Sequence, residues 1–185
     1  MLRAILFCLA LLLAPPVLAQ DGGGSALPAF RGMDMEHLLL GHWRGPDRVS
    51  GYHLADRNGR PVPCPLHAES VCEPLNNCCG LKCNARAEGE SRDDAPWRAE
   101  VHIRRDCASP WVKKDSGSTM FPTGWSPQQL RKRVRAAYES GRQVGDNPDK
   151  WCGCWQDLEL QGYQTDGRID TAWPVIGGGA CGCPR

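Results

Sequence analysis

The sequence predicts an α+β fold, and three local patterns support that class. A well-marked amphipathic helix begins near Ser126, an alternating strand occupies residues 97–103, and two strand-like segments meet at an Asp-Gly turn at 166–167. The order of these segments predicts a helical N-terminal half followed by a strand-rich C-terminal half. Antiparallel sheets with a packed helix are therefore expected.

The helix is predicted from its capping residues. Ser126 is a favourable N-cap, Pro127 suits the first helical position, and Gln129 completes a capping box. Gly141 is predicted to end the helix. The apolar residues that recur at helical spacing between these limits are Leu130, Val134, Ala137 and Tyr138.

The strands are predicted from alternation and turn chemistry. The segment "WRAEVHI" at 97–103 alternates between apolar and polar side chains, which is typical of a half-buried strand. The segments "WQDLELQGYQ" and "GRIDTAWPVI" are joined by Thr165-Asp166-Gly167. Asp-Gly between two such segments predicts a β-hairpin.

The N-terminus has the features of an export signal over residues 1–19. Arg3 supplies a positively charged n-region and an apolar segment follows it. Val17-Leu18-Ala19 then forms a small-residue cleavage site. The apolar segment is too short to span a bilayer, so no membrane partner is expected. Cleavage near Ala19 predicts a secreted or periplasmic protein with a flexible leader at 20–30.

Cysteine usage agrees with an oxidising compartment. Of the 11 cysteines, Cys8 lies in the signal segment, which leaves an even number in the mature chain. Disulfides are the favoured interpretation, and the alternative is a zinc site made by the two Cys-Gly-Cys motifs. The connectivity stays open. The mature cysteines are Cys64, Cys72, Cys78, Cys79, Cys83, Cys107, Cys152, Cys154, Cys181 and Cys183.

Composition adds two expectations about organisation and charge. Residues 60–96 hold half of the mature cysteines with little apolar periodicity, which predicts an irregular, crosslinked insert, and 177–185 form a cysteine-containing tail. The chain has 22 basic and 21 acidic residues, and Arg3 leaves with the signal segment. The mature chain is formally neutral, so an anionic ligand must be held by a local basic cluster.

Two histidines are the first candidates for chemistry. His37 and His53 lie near glycines at 41, 45 and 51, which predicts positions beside turns. A histidine pair can act as general base and general acid near neutral pH. Spacing alone also allows ordinary hydrogen-bonded histidines. Zinc binding by His37, His42 and His53 is a further alternative, but the spacing matches no common metal site.

The histidines also begin a series of motifs that resembles a known family. "HLLLG" and "SGYH", with 16 residues from histidine to histidine, are followed by "WRAEVHI", by "KKDSGSTMFPTGWSPQQLRKRVRAAY" and by "GRIDTAWP". In this order the motifs resemble the bacterial EndoU-type endoribonuclease domain. The resemblance covers about residues 31–176, apart from the cysteine-rich insert.

The resemblance implies a fold and a reaction. The fold would be the α+β barnase/EndoU/colicin/RelE-like fold with antiparallel sheets. The reaction would be cleavage of single-stranded RNA, usually beside uridine, by attack of the ribose 2′-OH to leave a 2′,3′-cyclic phosphate. No cofactor would be required, although stimulation by Mn²⁺ is an open expectation. An antibacterial toxin with an immunity or inhibitor protein as partner fits this class, and the oligomeric state is left open.

The resemblance also implies roles for individual residues. His53 would be the base and His37 the acid, with the reverse assignment left open. Lys114 would hold the scissile phosphate, because distant coronaviral relatives carry Lys-x-x-x-Ser before the equivalent helix, and Lys113 is its competitor. The predicted substrate-binding residues are Ser118, Thr171, Trp173 and Lys113.

Trp173 is a departure from the family, which usually has tyrosine at that position. Tryptophan can stack on a base but lacks the phenolic hydroxyl. An inactive EndoU-like RNA-binding module is therefore the main alternative function. A disulfide-rich secreted inhibitor or structural protein is the other.

Overall fold

The computed structural model describes residues 25–62, 85–105 and 108–184. Two helices lie in these ranges, α1 (Met35–Leu40) and α2 (Pro127–Glu139). The strands are β1 (Gly32–Met33), β2 (His42–Trp43), β3 (Val49–Ser50), β4 (Ala85–Glu88), β5 (Trp97–Ile103), β6 (Val112–Lys113), β7 (Ser118–Met120), β8 (Arg142–Gln143), β9 (Lys150–Trp155), β10 (Leu158–Thr165) and β11 (Arg168–Pro174). The architecture is α+β, as the sequence predicts.

The strands form two main sheets and a short hairpin. The larger sheet has the order β1-β11-β10-β9-β8, and it is antiparallel except that β1 pairs with β11 in parallel. The second sheet has the order β4-β5-β6, with β7 also paired to β5. Strands β2 and β3 pair only with each other among the described strands.

Helix α2 forms as its capping box predicts and packs on the larger sheet. Ser126 accepts a hydrogen bond from the Gln129 N–H, and the Gln129 side chain accepts one from the Ser126 N–H. The four predicted apolar residues are buried in one core cluster with strands β9 to β11. Gly153 permits this contact, because a Cβ there would lie 1.8 Å from the Ala137 carbonyl oxygen.

The end of α2 differs in detail from the prediction. The helix ends at Glu139 with Ser140 as its C-cap, and Gly141 follows without a left-handed conformation. Gly141 is instead required by packing, because a Cβ there would lie 2.4 Å from the carbonyl oxygen of Cys152 on strand β9. Gly141 therefore does not cap the helix. Its lack of a side chain lets the backbone after α2 lie close to strand β9.

The β10–β11 hairpin confirms the prediction from Asp-Gly. Asp166 and Gly167 have φ values of 50° and 82°, as a two-residue type I′ turn requires. The pairing then shifts, because Tyr163 lies opposite Thr171 while Gln164 lies opposite Ile169. Strand β11 therefore has a bulge at residue 170. The bulge places Ile169 in the core and Thr171 on the opposite face, although residues two apart on a regular strand share a face.

Two expectations about the N-terminal half were wrong. The half is not mainly helical: α1 has six residues, and short strands make up most of the remaining regular structure in the described part. The insert is not irregular throughout either, because 85–88 form strand β4, which pairs with β5. Ala85 and Ala87 are buried in a second core with Trp97 and Val101. Small buried side chains gave little apolar signal for this strand.

Disulfides join the tail to the larger sheet. Cys152 is bonded to Cys181 and Cys154 to Cys183, which confirms the disulfide interpretation of the Cys-Gly-Cys motifs over the zinc alternative. The bridges agree with an oxidising environment. Cysteines 64, 72, 78, 79, 83 and 107 lie outside the described residues. Within the described ranges, no helix has the length and apolar character to cross a membrane.

We expect the two bridges to stabilise the protein non-additively. Both join the same two segments across a separation of 29 residues. Replacing all four cysteines by alanine should lower the free energy of unfolding by about 3–4 kcal/mol, the closure entropy of a loop of that length. Replacing only Cys154 and Cys183 should cost at most about half of this, because the remaining bridge still closes the loop. Urea unfolding of both variants checks this, and equal losses would contradict it.

Candidate active site

One cleft of about 820 Å³ brings together all the candidate residues except Lys113. Its walls come from α1 and the segment after β3, from the β6–β7 connection, and from the β10–β11 hairpin. The cleft has a local positive excess, although the chain as a whole is almost balanced, with 22 basic and 21 acidic residues. Its lining contains Arg44, Arg48, Arg98 and Lys114 against Asp149 and Asp170.

Helix α1 places His37 at the back of the cleft. The Asp34 side chain caps the helix by accepting the His37 backbone N–H at 2.9 Å, and the His37 side chain is buried. The ring packs against Gly51: a Cβ at that glycine would lie 2.8 Å from Cδ2 and 2.9 Å from Nε2 of His37. The sequence predicts His37 beside a turn, whereas in the structure it lies on helix α1, which ends just before Gly41.

A left-handed stretch of backbone brings His53 beside His37. Gly51 and Tyr52 have φ values of 78° and 58°, and the latter is unfavourable for a bulky residue. The surroundings hold Tyr52 in place, because it is fully buried and its hydroxyl donates to the Gly59 carbonyl at 2.9 Å. Its N–H donates to the His37 carbonyl at 2.9 Å. Such a strained position indicates a constrained site.

His53 is held in one tautomer by its hydrogen bond. Nδ1 lies 3.0 Å from the Thr119 carbonyl oxygen, which can only accept, so Nδ1 carries the proton. Nε2 of the neutral ring is then an acceptor. The His53 N–H donates to Leu38 and its carbonyl accepts from Phe121, which fixes the backbone as well. The arrangement suits a general base.

The cleft lysine is Lys114. Its ammonium donates to Ser118 Oγ at 2.7 Å and to the Gly51 carbonyl at 3.2 Å. Burial lowers the pKa of Lys114 to about 8. Lys113 points elsewhere: its side chain is 58% exposed and pairs with Glu100. The structure thus brings Lys114 and Ser118 into the cleft and leaves Lys113 outside it.

Both cleft histidines are neutral at physiological pH in the free protein. Burial, followed by the neighbouring His42, lowers the pKa of His37 to about 4. Burial, followed by the Lys114 charge, lowers the pKa of His53 to about 3, against the opposing effect of the Thr119 carbonyl. Lys114 is then a cation that acts on both histidines at neutral pH, and Arg44 also acts on His37.

These shifts predict a pH dependence of stability. A folded-state pKa below the ordinary value of 6.5 means that the unfolded chain binds the proton first, so stability present above pH 6.5 is lost on acidification. We expect His53→Asn to unfold with a shallower pH dependence between pH 6.5 and 4, by at most the slope of one bound proton, roughly 1 kcal/mol per pH unit. Urea unfolding at several pH values measures this. Parallel curves for the variant and wild type would refute it.

Thr171 has a buried hydroxyl without a partner among the described residues. The residue is 9% exposed and lines the cleft. A buried unsatisfied hydroxyl is costly and therefore rare in folded proteins. Thr171 lines the same cleft as the histidines and Lys114, so a ligand bound there is a candidate for the missing partner.

Trp173 forms the outer wall of the cleft beside His53. The two rings are 6.3 Å apart at the centroids with an interplanar angle of 30°. The indole ring is only partly buried, so part of it faces the cleft. Trp173 is therefore placed to present a flat aromatic surface next to the candidate base.

Tyr163 also lines the cleft, although no sequence motif indicated it. It lies opposite Thr171 in the hairpin, and its ring is 5.6 Å from that of Trp173. Pairing both strands outward from the Asp-Gly turn would have placed it near residue 170. Because the bulge makes Thr171 its partner instead, regular hairpin register would have assigned Tyr163 to the wrong face, and the sequence held no local signal for it.

In the described part of the chain, His37, His42 and His53 do not form a group of candidate metal ligands. Two groups of three candidate ligands have their ligand atoms within 4.8 Å of one another in that part of the chain, and neither includes His37, His42 or His53. One group contains Cys152 and Cys181, which form a disulfide and offer no thiolate. The other lies on strands β4 and β5.

The fold and the cleft define a small α+β protein with a histidine–histidine–lysine site. The family model for the bacterial EndoU nuclease matches residues 33–176, which is most of the chain. The chain belongs to the bacterial EndoU nuclease family, and membership implies nuclease activity on a nucleic acid. No curated protein and no solved structure gave a significant match.

Proposed function

We propose that the protein is an endoribonuclease that cleaves single-stranded RNA by attack of the ribose 2′-OH. The observation that carries the proposal is the shared cleft: the unprotonated Nε2 of His53, the Lys114 ammonium and the unpartnered Thr171 hydroxyl all line it. These groups supply a base, a cation for the phosphate and a further donor. Because the nucleophile belongs to the substrate, no protein nucleophile is required.

In the proposed reaction, Nε2 of His53 takes the proton from the 2′-OH. The 2′-oxygen bonds to phosphorus, the bond from phosphorus to the 5′-oxygen breaks, and His37 gives a proton to that leaving oxygen. Lys114 stabilises the charge on the phosphorane oxygens, with its ammonium held by Ser118 and Gly51. The products are a 2′,3′-cyclic phosphate and a 5′-hydroxyl.

His37 must be protonated to act as the acid, whereas it is neutral at pH 7 in the free protein. The bound phosphate favours the protonated form of His37, because a nearby negative charge raises the pKa of a histidine. The phosphate also offsets the Lys114 charge that lowers the pKa of both histidines. Substrate binding therefore prepares the acid, and an empty site holds it deprotonated.

The base next to the scissile phosphate is proposed to be uracil. Trp173 offers a ring for stacking, and the hydroxyls of Ser118 and Thr171 can bond to the base or the phosphate. Thr171 is the stronger candidate, because its hydroxyl has no other partner among the described residues. Trp173 stacks in place of the usual tyrosine but cannot provide its hydroxyl.

The biological setting is part of the same proposal. An export signal at 1–19 and disulfides in the tail support release into an oxidising compartment. We propose an antibacterial toxin of the barnase/EndoU/colicin/RelE-like fold, with an immunity protein as a further partner and with no metal ion required for the reaction.

The test uses the oxidised protein and a short RNA with one uridine, in EDTA and again with Mn²⁺. The expected product is a 2′,3′-cyclic phosphate at the uridine, identified by mass, with no cleavage when that uridine is 2′-deoxy. Cleavage of the deoxy control would contradict 2′-OH attack. Binding without cleavage in either condition would favour the inactive RNA-binding module.

A further inference from the structure

We propose that Arg44 binds the phosphate that follows the scissile one in the RNA, on the 3′ side of the leaving nucleotide. The inference rests on the proposed ribonuclease function and extends it to the next link of the RNA chain. It assigns the ligand of Arg44 to a chemical class, the phosphodiester of a single strand. Such a site also fixes the direction in which the RNA crosses the cleft.

Arg44 is held at the cleft with donors to spare. Its Nε donates to Ser50 Oγ at 2.9 Å, and the residue lines the cleft. Ser50 precedes Gly51, the residue against which the His37 ring packs. The remaining N–H groups of the guanidinium have no hydrogen-bond or ion-pair partner among the described residues. A planar guanidinium with free N–H groups suits the two non-bridging oxygens of a phosphate.

The second arginine of the same β2–β3 hairpin is engaged differently. Arg48 also lines the cleft, but its Nε lies 3.7 Å from the Asp115 carboxylate, and its side chain is 71% exposed. That carboxylate competes with a phosphate for the Arg48 guanidinium, and an exposed pair of this kind is loosely held. Arg44 is therefore the better placed of the two for a fixed phosphate contact.

The two cleft cations Lys114 and Arg44 act on different histidines. The Lys114 charge lowers the pKa of both His37 and His53, whereas the Arg44 charge lowers the pKa of His37 and is not among the causes of the His53 shift. Because a charge acts more strongly at shorter distance, Arg44 lies on the His37 side of the pair. Lys114 is placed for the scissile phosphate, which both histidines must reach.

This location determines which phosphate Arg44 meets. In the proposed reaction, His37 gives its proton to the 5′-oxygen of the leaving nucleotide, so the RNA that continues from that nucleotide lies on the His37 side. The first charge along this part of the chain is the 3′-phosphate of the leaving nucleotide. The RNA therefore runs 5′ to 3′ from the His53 side of the cleft towards Arg44.

The test removes one phosphate charge at a time from an uncleavable oligonucleotide. The probe is a short single-stranded RNA with 2′-deoxyuridine at the cleavage position, labelled for fluorescence anisotropy. A neutral methylphosphonate replaces either the phosphate 3′ of the leaving nucleotide or the phosphate 5′ of the deoxyuridine. Wild type is expected to bind the 3′-substituted probe about tenfold more weakly, the lower end for losing a hydrogen bond to a charged group.

Arg44→Gln should bind the unmodified probe about tenfold more weakly and lose nothing further with the 3′ methylphosphonate. It should keep the wild-type response to the 5′ methylphosphonate. Arg48→Gln, the matched control from the same hairpin, should keep the wild-type response at both positions. With cleavable RNA, the loss in Arg44→Gln should appear mainly in KM, because the contact is made before the chemical step as well as during it.

Three results would overturn the inference on Arg44: wild-type affinity of Arg44→Gln, wild-type binding that is insensitive to the 3′ methylphosphonate, or losses from the two changes that simply multiply. If Arg44→Gln instead removed the response to the 5′ methylphosphonate, the RNA would run in the opposite direction, and the inference would again be wrong. Absence of RNA cleavage by wild type would instead contradict the ribonuclease function itself.

Discussion

Replacing His53 by asparagine is expected to lower kcat by about 10²–10⁴-fold, the range for losing a general base. Asparagine keeps the local structure, because its amide nitrogen can donate to the Thr119 carbonyl as Nδ1 of His53 does. It has no counterpart of the free Nε2. The loss should therefore appear in the chemical step and not in folding, which circular dichroism and thermal unfolding would establish.

His102→Asn is the matched control for this variant. His102 lies on strand β5, pairs with Glu100 and does not line the cleft. It should retain wild-type kcat. If His53→Asn also retained wild-type kcat, the neutral ring beside Thr119 would not be the base, and the proposed mechanism would be wrong.

Replacing Lys114 by methionine is expected to abolish most activity and to stabilise the fold at the same time. Removing one preorganised donor to a developing negative charge costs about 10²–10³-fold in kcat. The stability change has the opposite sign, because the Lys114 charge is buried and its hydrogen-bond partners among the described residues are the neutral groups of Gly51 and Ser118. Its lowered pKa means that the folded protein disfavours the charge at neutral pH.

The expected gain in stability is about 1 kcal/mol at pH 7, after allowing for partial exposure and for the two lost hydrogen bonds. Lys113→Met is the matched control one position away. Its side chain is exposed and its pair with Glu100 lies on the surface, so it should change neither activity nor stability measurably. Equal, small losses of activity in the two variants would remove Lys114 from the catalytic groups.

Local chemistry made part of this fold predictable. The capping box at Ser126 and Gln129 acts within four residues, and the Asp166-Gly167 turn requires only two left-handed residues. Such features depend only on neighbouring residues, so the sequence alone is enough to predict them. Strand β5 was predictable for a similar reason, since its buried and exposed residues alternate along the whole segment.

Features that depend on distant partners were not predictable. The parallel pairing of β1 with β11 joins segments more than a hundred residues apart, and β4 consists of small and charged residues with little apolar pattern. The disulfide partners of Cys152 and Cys154 depend on where the tail returns to the sheet. Nothing local distinguishes these pairings from the many alternatives.

The candidate site also has a part that was predictable from local sequence and a part that depends on packing. The family motifs brought His37, His53 and the lysine–serine pair to attention, and the choice between two adjacent lysines rested on the position of Ser118. The left-handed Tyr52, the tautomer of His53 and the unpartnered Thr171 hydroxyl arise from packing and could not be read from the sequence. Tyr163 was missed because the bulge near residue 170 changes which side chains share the cleft.

The most direct test of the mechanism uses an RNA in which sulfur replaces the 5′-oxygen at the scissile bond. A thiol has a pKa of about 8.5, so a thiolate leaves without a general acid. We predict that His37→Asn cleaves this RNA at nearly the wild-type rate, whereas His53→Asn stays inactive because the 2′-OH still needs a base. Restoration of His53→Asn alone would reverse the two roles. Undiminished cleavage of ordinary RNA by both variants would contradict acid–base catalysis in this cleft.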